Sequence, residues 1–261
     1  MSDATRAFYD DLADYQHLVF QDWNRSIAWQ AGLFGPLLER DLAPRPLHIL
    51  DCACGIGTQA LGLAARGHIV TGLDLSPAAI ARAHREALAR GLAIQFETAD
   101  MRDLSTLPAA GFDAALAADN ALPHLLDAHD LSLALAQIAA RLRPGGLFLA
   151  TIRDYDAVLA ARPPAPPPSF FQDGPYRRIH HQVWDWTSDR QYTVHLYLTR
   201  ETAAGWESRH FMGVYRAWLR DELAALARQA GFAEAVWRMP VESGFYQPML
   251  LARTAELPSF G

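Results

Sequence analysis

The sequence predicts an α/β fold: a doubly wound parallel sheet with an antiparallel β cover inserted after its fifth strand. Three observations predict it. Short apolar runs alternate with stretches of helical periodicity between residues 47 and 152. Each of the first four runs is followed by an acid, in turn Asp51, Asp74, Asp100 and Asp119. In a doubly wound sheet this is the edge where ligands bind. After Ile152 the text changes to two-residue alternation broken by turn residues, which is the pattern of antiparallel strands.

The chain has 261 residues, 51% of them hydrophobic, which is enough for one large α/β domain with an added cover. The formal net charge of −6 argues against a nucleic-acid surface, which usually carries a basic patch. The two cysteines, Cys52 and Cys54, are separated by one residue and are not placed to bridge one another. A reducing compartment is expected. No secretory pattern and no apolar stretch long enough to span a bilayer is read, so a cytoplasmic protein without membrane partners is expected.

The first unit is the most informative. Residues 47–50 are a short apolar run, Asp51 closes it, and Gly55-x-Gly57 follows. From Thr58 the residues Ala60, Leu61, Leu63, Ala64 and Ala65 make a helical stripe that Gly67 ends. Glycines let the backbone approach a ligand, and a helix N-terminus adds unpaired N–H groups. Gly55-x-Gly57-x-x-Ala60 also fits a dinucleotide fingerprint. Asp51 sits badly beside a pyrophosphate, however, and suits an amino group or ribose hydroxyls.

The second unit is a strand over residues 68–74 ending in Asp74, then Ser76-Pro77 as N-cap and first helical residue of a helix to about Arg90. Asp74, with Leu75 beside it, stands nineteen residues beyond Gly55 and is placed to accept from both hydroxyls of a ribose. As a strand-end residue it is expected to be partly exposed. A third strand covers residues 93–98, and Ala99-Asp100-Met101-Arg102 follows it. The fourth, over 112–118, leads from Ala118 into Asp119-Asn120-Ala121-Leu122-Pro123-His124. A helix over 128–142 is broken by Arg143-Pro144-Gly145-Gly146, and 147–152 is the fifth strand. Near the other terminus, 220–229 is a helix, and 233–239 and 246–253 are strands.

Asp51-x-x-x-Gly55-x-Gly57 after a strand, Asp100-Met101-Arg102, and Leu142-Arg143-Pro144-Gly145-Gly146 before a strand together resemble the class I S-adenosylmethionine-dependent methyltransferases. The resemblance covers residues 45–152 well and 218–253 fairly. It implies a seven-stranded Rossmann-like sheet whose last strand is antiparallel, with S-adenosyl-L-methionine as cofactor. It further implies a cofactor site made of Asp51, Ala53, Gly55, Gly57, Asp74, Leu75, Asp100, Met101, Ala118 and Asp119. Asp100 would accept from the adenine amino group and Met101 would pack on the ring.

Residues 5–23 carry aromatics at Phe8, Tyr9, Tyr15, Phe20 and Trp23 and read as an amphipathic helix. Phe8-Tyr9-Asp10-x-Leu12-Ala13-x-Tyr15 resembles the N-terminal segment of small-molecule methyltransferases of the glycine N-methyltransferase type. That resemblance implies a flap in which Tyr9, Tyr15 or Trp23 meets the cofactor. A second helix over 24–42 is expected to end before Pro44 and Pro46.

The cover begins with Arg153 and Tyr155, which leave the fifth strand at the ligand edge. A proline-rich, stiff stretch at 162–169 precedes strands at 179–186, 192–198 and 206–215. His180, Gln182, Trp184 and Trp186 share one strand face. Three regions result: a helical arm (1–43), a core (44–152 and 218–261) and a covering insertion (153–217).

Methyl transfer from a sulfonium is an in-line displacement that needs positioning more than acid–base machinery. Asn120 and His124 are the catalytic candidates. Asn120, His124, Arg153, Tyr155, Trp184, Trp186 and Arg216 are the candidates for a small acceptor, with nitrogen favoured by the resemblance. Arg177 and Arg178 are further candidates for an acceptor carboxylate. No metal site is expected, because Cys52-x-Cys54 and the adjacent His180-His181 lack ligand spacing. The competing enzyme reading, an NAD-dependent oxidoreductase, predicts a Tyr-x-x-x-Lys or similar, and the chain has no lysine. A cofactor-binding protein without turnover is the non-enzymatic reading.

Overall fold

Buried apolar runs fold into the expected parallel strands. The structure, a computed structural model, describes residues 3–42 and 46–256. The first five strands are β1 (His48–Asp51), β2 (Ile69–Asp74), β3 (Gln95–Thr98), β4 (Phe112–Ala117) and β5 (Leu142–Thr151). With β10 (Phe232–Arg238) and β11 (Met249–Thr254) they form one sheet in the order β10-β11-β5-β4-β1-β2-β3. β11 runs antiparallel to both neighbours, as expected of the last strand. The order reverses between β1 and β4, which opens the crevice at the carboxyl end of β1.

Alternating side chains divide the core in two. On one face α2 (Trp23–Asp41), α3 (Thr58–Ala65) and α4 (Pro77–Ala89) pack on Ile49, Val70 and Leu149. On the other, α5 (Ala128–Arg141) and α7 (Arg220–Gln229) pack on Leu50, Ala115 and Phe148. Gly62 sets the spacing of α2 on α3, since a Cβ there would lie 2.7 Å from the Ala31 Cβ and 2.8 Å from the Ile27 carbonyl.

Between β5 and α7 the chain builds α6 (Tyr155–Ala161) and a second sheet of β6 (Ser169–Asp173), β7 (Tyr176–Trp186), β8 (Gln191–Thr202) and β9 (Gly205–Arg216), antiparallel in that order. Three strands were expected and four are present. β6 follows directly on the proline run, which shortens it to five residues. α6 also escaped the sequence pattern, although Asp154 caps it by accepting from the Ala157 N–H at 3.3 Å.

The arm departs further from expectation. Instead of one helix over 5–23 there are α1 (Asp3–Leu12), a 3-10 turn (Gln16–Val19) and then α2. The break has a local cause: Asp22 accepts from the Arg25 N–H at 3.0 Å and so caps a new helix that starts at Trp23. α1 is pinned over the sheet edge, where Asp10 accepts from Ser76 Oγ at 2.6 Å and from the Ala78 N–H at 3.2 Å. Pro44, and with it the expected arm–core boundary, lies outside the described residues. Among the described residues no helix is long and apolar enough to cross a membrane.

Candidate active site

A cavity of about 660 Å³ lies between the carboxyl edge of the parallel sheet, the arm and the inner face of the second sheet. Its floor is the glycine turn. Gly55 and Gly57 take φ of +54° and +96°, a region costly for residues with a Cβ. Of the residues expected at the cofactor, Ala53, Gly55, Asp74, Leu75, Met101, Ala118 and Asp119 line the cavity. Gly57 instead caps α3 below the floor.

Asp74 is 7% exposed, not the partly exposed strand-end acid expected. One oxygen accepts from the Gly55 N–H at 2.8 Å and the other from the Ser76 N–H at 2.9 Å, so the acid also ties the turn to α4. Burial pushes its carboxyl up to about 6, with these N–H groups pulling the other way. Asp51 lies one layer deeper, fully buried and off the cavity wall, and among the described residues neither oxygen has a hydrogen-bond partner. Burial is the first cause that raises its carboxyl to about 8, and the negative charges of Asp74 and Asp119 add to it; the Ala53 and Ala60 N–H groups offset part, from beyond hydrogen-bond geometry.

At the end of β4, Asp119 and Asn120 take φ of +54° and +70°, two left-handed residues without glycine. Thr151 holds this bend, its hydroxyl accepting from the Asp119 N–H at 2.8 Å and its carbonyl from the Asn120 N–H at 3.0 Å. Asp119 accepts from Gln59 at 2.8 Å, from Gln30 at 3.2 Å and from the Tyr246 hydroxyl. Asn120 accepts from the Arg153 N–H at 3.0 Å and the Tyr155 hydroxyl at 3.1 Å, while its Nδ2 is buried with no partner among the described residues.

The roof comes from the second sheet and from α1. Arg153 extends beneath it, donating to the Tyr192 hydroxyl at 2.8 Å and to Gln182 Oε1 at 3.3 Å, over the rings of Trp184 and Tyr215. No carboxylate pairs with it among the described residues. His124 and Tyr9 face the same space. The Val214 carbonyl, 3.2 Å from Nδ1 of His124, can only accept, so Nδ1 carries the proton and Nε2 accepts from the Tyr9 hydroxyl at 2.8 Å. Burial pulls His124 down to about 3, so it is neutral and both nitrogens are engaged.

Several sequence candidates sit elsewhere. Tyr15 packs on Phe211 and under Arg209 and does not line the cavity. Trp23 starts α2, donates to Thr58 Oγ1 at 2.8 Å and is covered by Arg82 and Arg90. Asp100 is held in a fork by Arg102, at 2.7 Å to Nη2, and Ala99 reaches the cavity in its place. Tyr155 is buried behind the wall, where it orients Asn120. Trp186 shares a face with Trp184 but lies past the cavity under Arg162. Arg216 stacks on Trp218 and donates to the Leu126 carbonyl. Arg177 pairs with Glu201, and Arg178 with Asp173.

Other lining residues were not singled out as site residues: Gln16, Gln59, Tyr215 and Tyr246. Tyr246 was read inside a strand. A short helix α8 (Pro240–Ser243) and a left-handed Gly244 instead turn it back against Phe245 and Trp29, and β11 starts only at Met249. Proline at the first helical position and glycine just past the last were the signals to read. Among the described residues no group of three His, Cys, Asp or Glu is arranged to hold a metal ion.

Residues 49–146 match the family model described as a methyltransferase domain. Residues 49–146 of this chain thus form a methyltransferase domain. The chain is 32% identical over 154 residues to a glycine/sarcosine N-methyltransferase of Parasynechococcus marenigrum, covering 56% of this chain and 54% of that one. It is 42% identical over 117 residues to a ubiquinone biosynthesis O-methyltransferase of Methylocella silvestris, covering 43% and 44%. The chain thus spans about half the length of the curated relatives it matches. In fold it is similar to CalS10, an amino pentose methyltransferase from Micromonospora echinaspora solved with S-adenosylmethionine bound, with a TM-score of 0.71 at 20% identity over 88% of this chain and 92% of that one. The methyltransferase domain supplies the floor of the cavity, and residues outside 49–146 supply most of its roof.

Proposed function

We propose that this chain transfers the methyl group of S-adenosylmethionine to a nitrogen of a small acceptor that also carries a carboxylate or similar anion. One observation carries the acceptor part of the reading. Arg153 holds its guanidinium in the cavity roof with only neutral partners, Tyr192 and Gln182. A guanidinium in a half-dry site, always charged and with donors to spare, is suited to an incoming carboxylate. Asn120 Nδ2, buried and unpartnered on the same wall, supplies a second donor for that anion.

The floor residues fit the cofactor. The left-handed Gly55 leaves room for close backbone approach, Asp74 has a carboxylate to offer ribose hydroxyls, and Met101 with Leu75 gives an apolar wall suited to a purine. When bound, the cofactor supplies an electrophilic methyl group on a sulfonium, with a neutral thioether as leaving group. The chain's part is positioning, with the acceptor anion at Arg153 and the rings of Tyr9 and Tyr215 about the sulfonium, where aromatic faces contribute about 0.5–2 kcal/mol each. Tyr9 is oriented by donating its proton to His124, which turns its oxygen lone pairs toward the cavity. The Arg153 charge disfavours an ammonium beside it and so favours the neutral, nucleophilic amine.

Nitrogen is preferred to oxygen because no strong base faces the acceptor. His124 is engaged at both nitrogens, and His180, also on the cavity wall, is pulled down to about 4 by burial and by Arg178. An amine can lose its proton to water before it enters, whereas a phenol needs a base in place. Turnover on amino acids and other amine-bearing carboxylates, measured against their amides and against phenols, tests the reading. Turnover confined to the free carboxylates supports it. Equal rates on the amides, or turnover of phenols alone, overturns it.

A further inference from the structure

The 3-10 turn of the arm, Gln16–Val19, lies over the glycine turn of the floor. A Cβ on Gly55 would stand 3.0 Å from Gln16 Nε2, 3.3 Å from its Oε1 and 3.5 Å from its Cδ, so the amide lies flat on the bare Gly55 backbone. Oε1 is buried with no partner among the described residues, and Nε2 has none there either. Gln16 lines the cavity. The turn that carries it is held from within and from the roof. The Leu18 N–H donates to the Tyr15 carbonyl at 2.8 Å, and the buried Arg178 of β7 donates to the carbonyls of Leu18 and Phe20. A buried acceptor left unpartnered destabilises the empty protein, and a ligand that bonds it removes that penalty.

We propose that Gln16 is a cofactor-binding residue that holds the amino-acid end of S-adenosylmethionine against the glycine turn. The assignment rests on the reading above that S-adenosylmethionine is the methyl donor. That end carries an ammonium and a carboxylate. The floor has acids for the ammonium, Asp119 on the cavity wall and Asp74 beside Gly55. It has no cation for the carboxylate. Among the described lining residues Arg153 is the one guanidinium, and it stands in the roof with Tyr192 and Gln182. The chain has no lysine, and burial keeps His124 and His180 neutral. The carboxylate is therefore left to neutral donors. Gln16 Nε2 is one. Thr58 is a second: it opens α3, lines the cavity and accepts from Trp23 Nε1 at 2.8 Å, which leaves its own hydroxyl proton to donate. The N-terminus of α3 adds partial positive charge at the same corner. An amide also carries an acceptor, so Gln16 can meet the ammonium through Oε1 while Nε2 meets the carboxylate. Gly55 is part of the arrangement, since a methyl group there would push the amide off the turn.

Calorimetric titration of the full chain with two probes tests this. One is S-adenosylhomocysteine; the other is methylthioadenosine, a nucleoside thioether without the amino-acid end. The parent is expected to bind S-adenosylhomocysteine at least about tenfold more tightly than methylthioadenosine. Gln16→Met keeps the length of the side chain and removes both polar atoms. It is expected to weaken S-adenosylhomocysteine by about tenfold or more and to leave methylthioadenosine within about twofold. The amide bonds nothing in the empty chain, so the variant should melt no lower than the parent. Gln16→Ala, titrated in the same way, is the second variant should the first fail to fold. Unchanged affinity for S-adenosylhomocysteine in a folded variant overturns the assignment. So does an equal loss for both probes in a variant that still melts cooperatively, the result of a role in shaping the turn alone. A parent that binds both probes equally overturns the hold on the amino-acid end and leaves the methyl donor standing. A parent that binds neither overturns the donor reading, and the assignment with it.

Discussion

The floor and the roof of the cavity are built on opposite terms. On the floor, Asp74 and Asp119 are held in place by the chain itself, through the Gly55 and Ser76 N–H groups and through Gln59, Gln30 and Tyr246. Around the acceptor space, Arg153 in the roof and Asn120 at the end of β4 keep donors that nothing in the described chain satisfies fully. A site whose groups are already oriented loses little on binding a ligand of fixed shape. A site with spare donors is incomplete until its ligand arrives. On the proposed function, the contrast sets a floor preorganised for a common cofactor against an acceptor space that the incoming anion completes.

The largest expected effect breaks the roof alone. Arg153→Met removes the proposed anion anchor, and methyl transfer to the acceptor should fall by at least about a hundredfold, the worth of about 3 kcal/mol in a charge-assisted pair. The melting temperature without ligand should stay level or rise, because a half-buried cation without a counter-charge is lost. Steady-state kinetics and melting curves of the same preparation check both statements.

Breaking the floor should show in the empty protein as well. Asp74→Asn turns an amide N–H₂ toward a backbone N–H, so one of the two hydrogen bonds that tie Gly55 and Ser76 is lost. A cost of about 1–3 kcal/mol is expected, a fall of several degrees in melting temperature. An unchanged melting temperature would mean that the turn holds itself.

Two tryptophans on one strand face sharpen the comparison further. Trp184 lines the cavity under Arg153, and Trp186 does not reach it. Trp184→Ala should lower turnover several-fold more than Trp186→Ala, with cofactor affinity little changed in either. Equal losses would make both rings packing residues only.

A pH slope sharpens the comparison from beneath the floor. Asp51 is raised to about 8 in the folded chain, above its unfolded value. A carboxyl raised in this way contributes stability that is fully present below its unfolded pKa and is lost as the pH rises through about 8. Asp51→Asn should therefore melt higher than the parent at pH 9, by a margin that shrinks toward pH 6. A margin that grows toward acid would contradict the burial assigned to Asp51.

The floor was legible in the sequence because its signals are local. Asp51 to Gly57, Asp74 before Ser76-Pro77, and Asp119-Asn120 after an apolar run each state their place within a dozen residues. Asp100 misled because its partner, Arg102, lies two residues on and claims it in the folded chain. The roof was legible only as a face of a strand. Trp184 and Trp186 are indistinguishable by alternation, and only the end of the sheet decides which one meets the cavity. Tyr246 was hidden by a strand pattern that a four-residue helix interrupts. The arm was misread as one helix because the cap at Asp22 falls inside an unbroken aromatic periodicity.

The central claim, that floor and roof bind different molecules independently, is tested most directly by calorimetric titration with S-adenosylhomocysteine. The parent should bind in the micromolar range, Arg153→Met within a few-fold of it, and Asp74→Asn about tenfold to a hundredfold more weakly. Absence of binding to the parent, or a loss in Arg153→Met as large as in Asp74→Asn, would contradict the division.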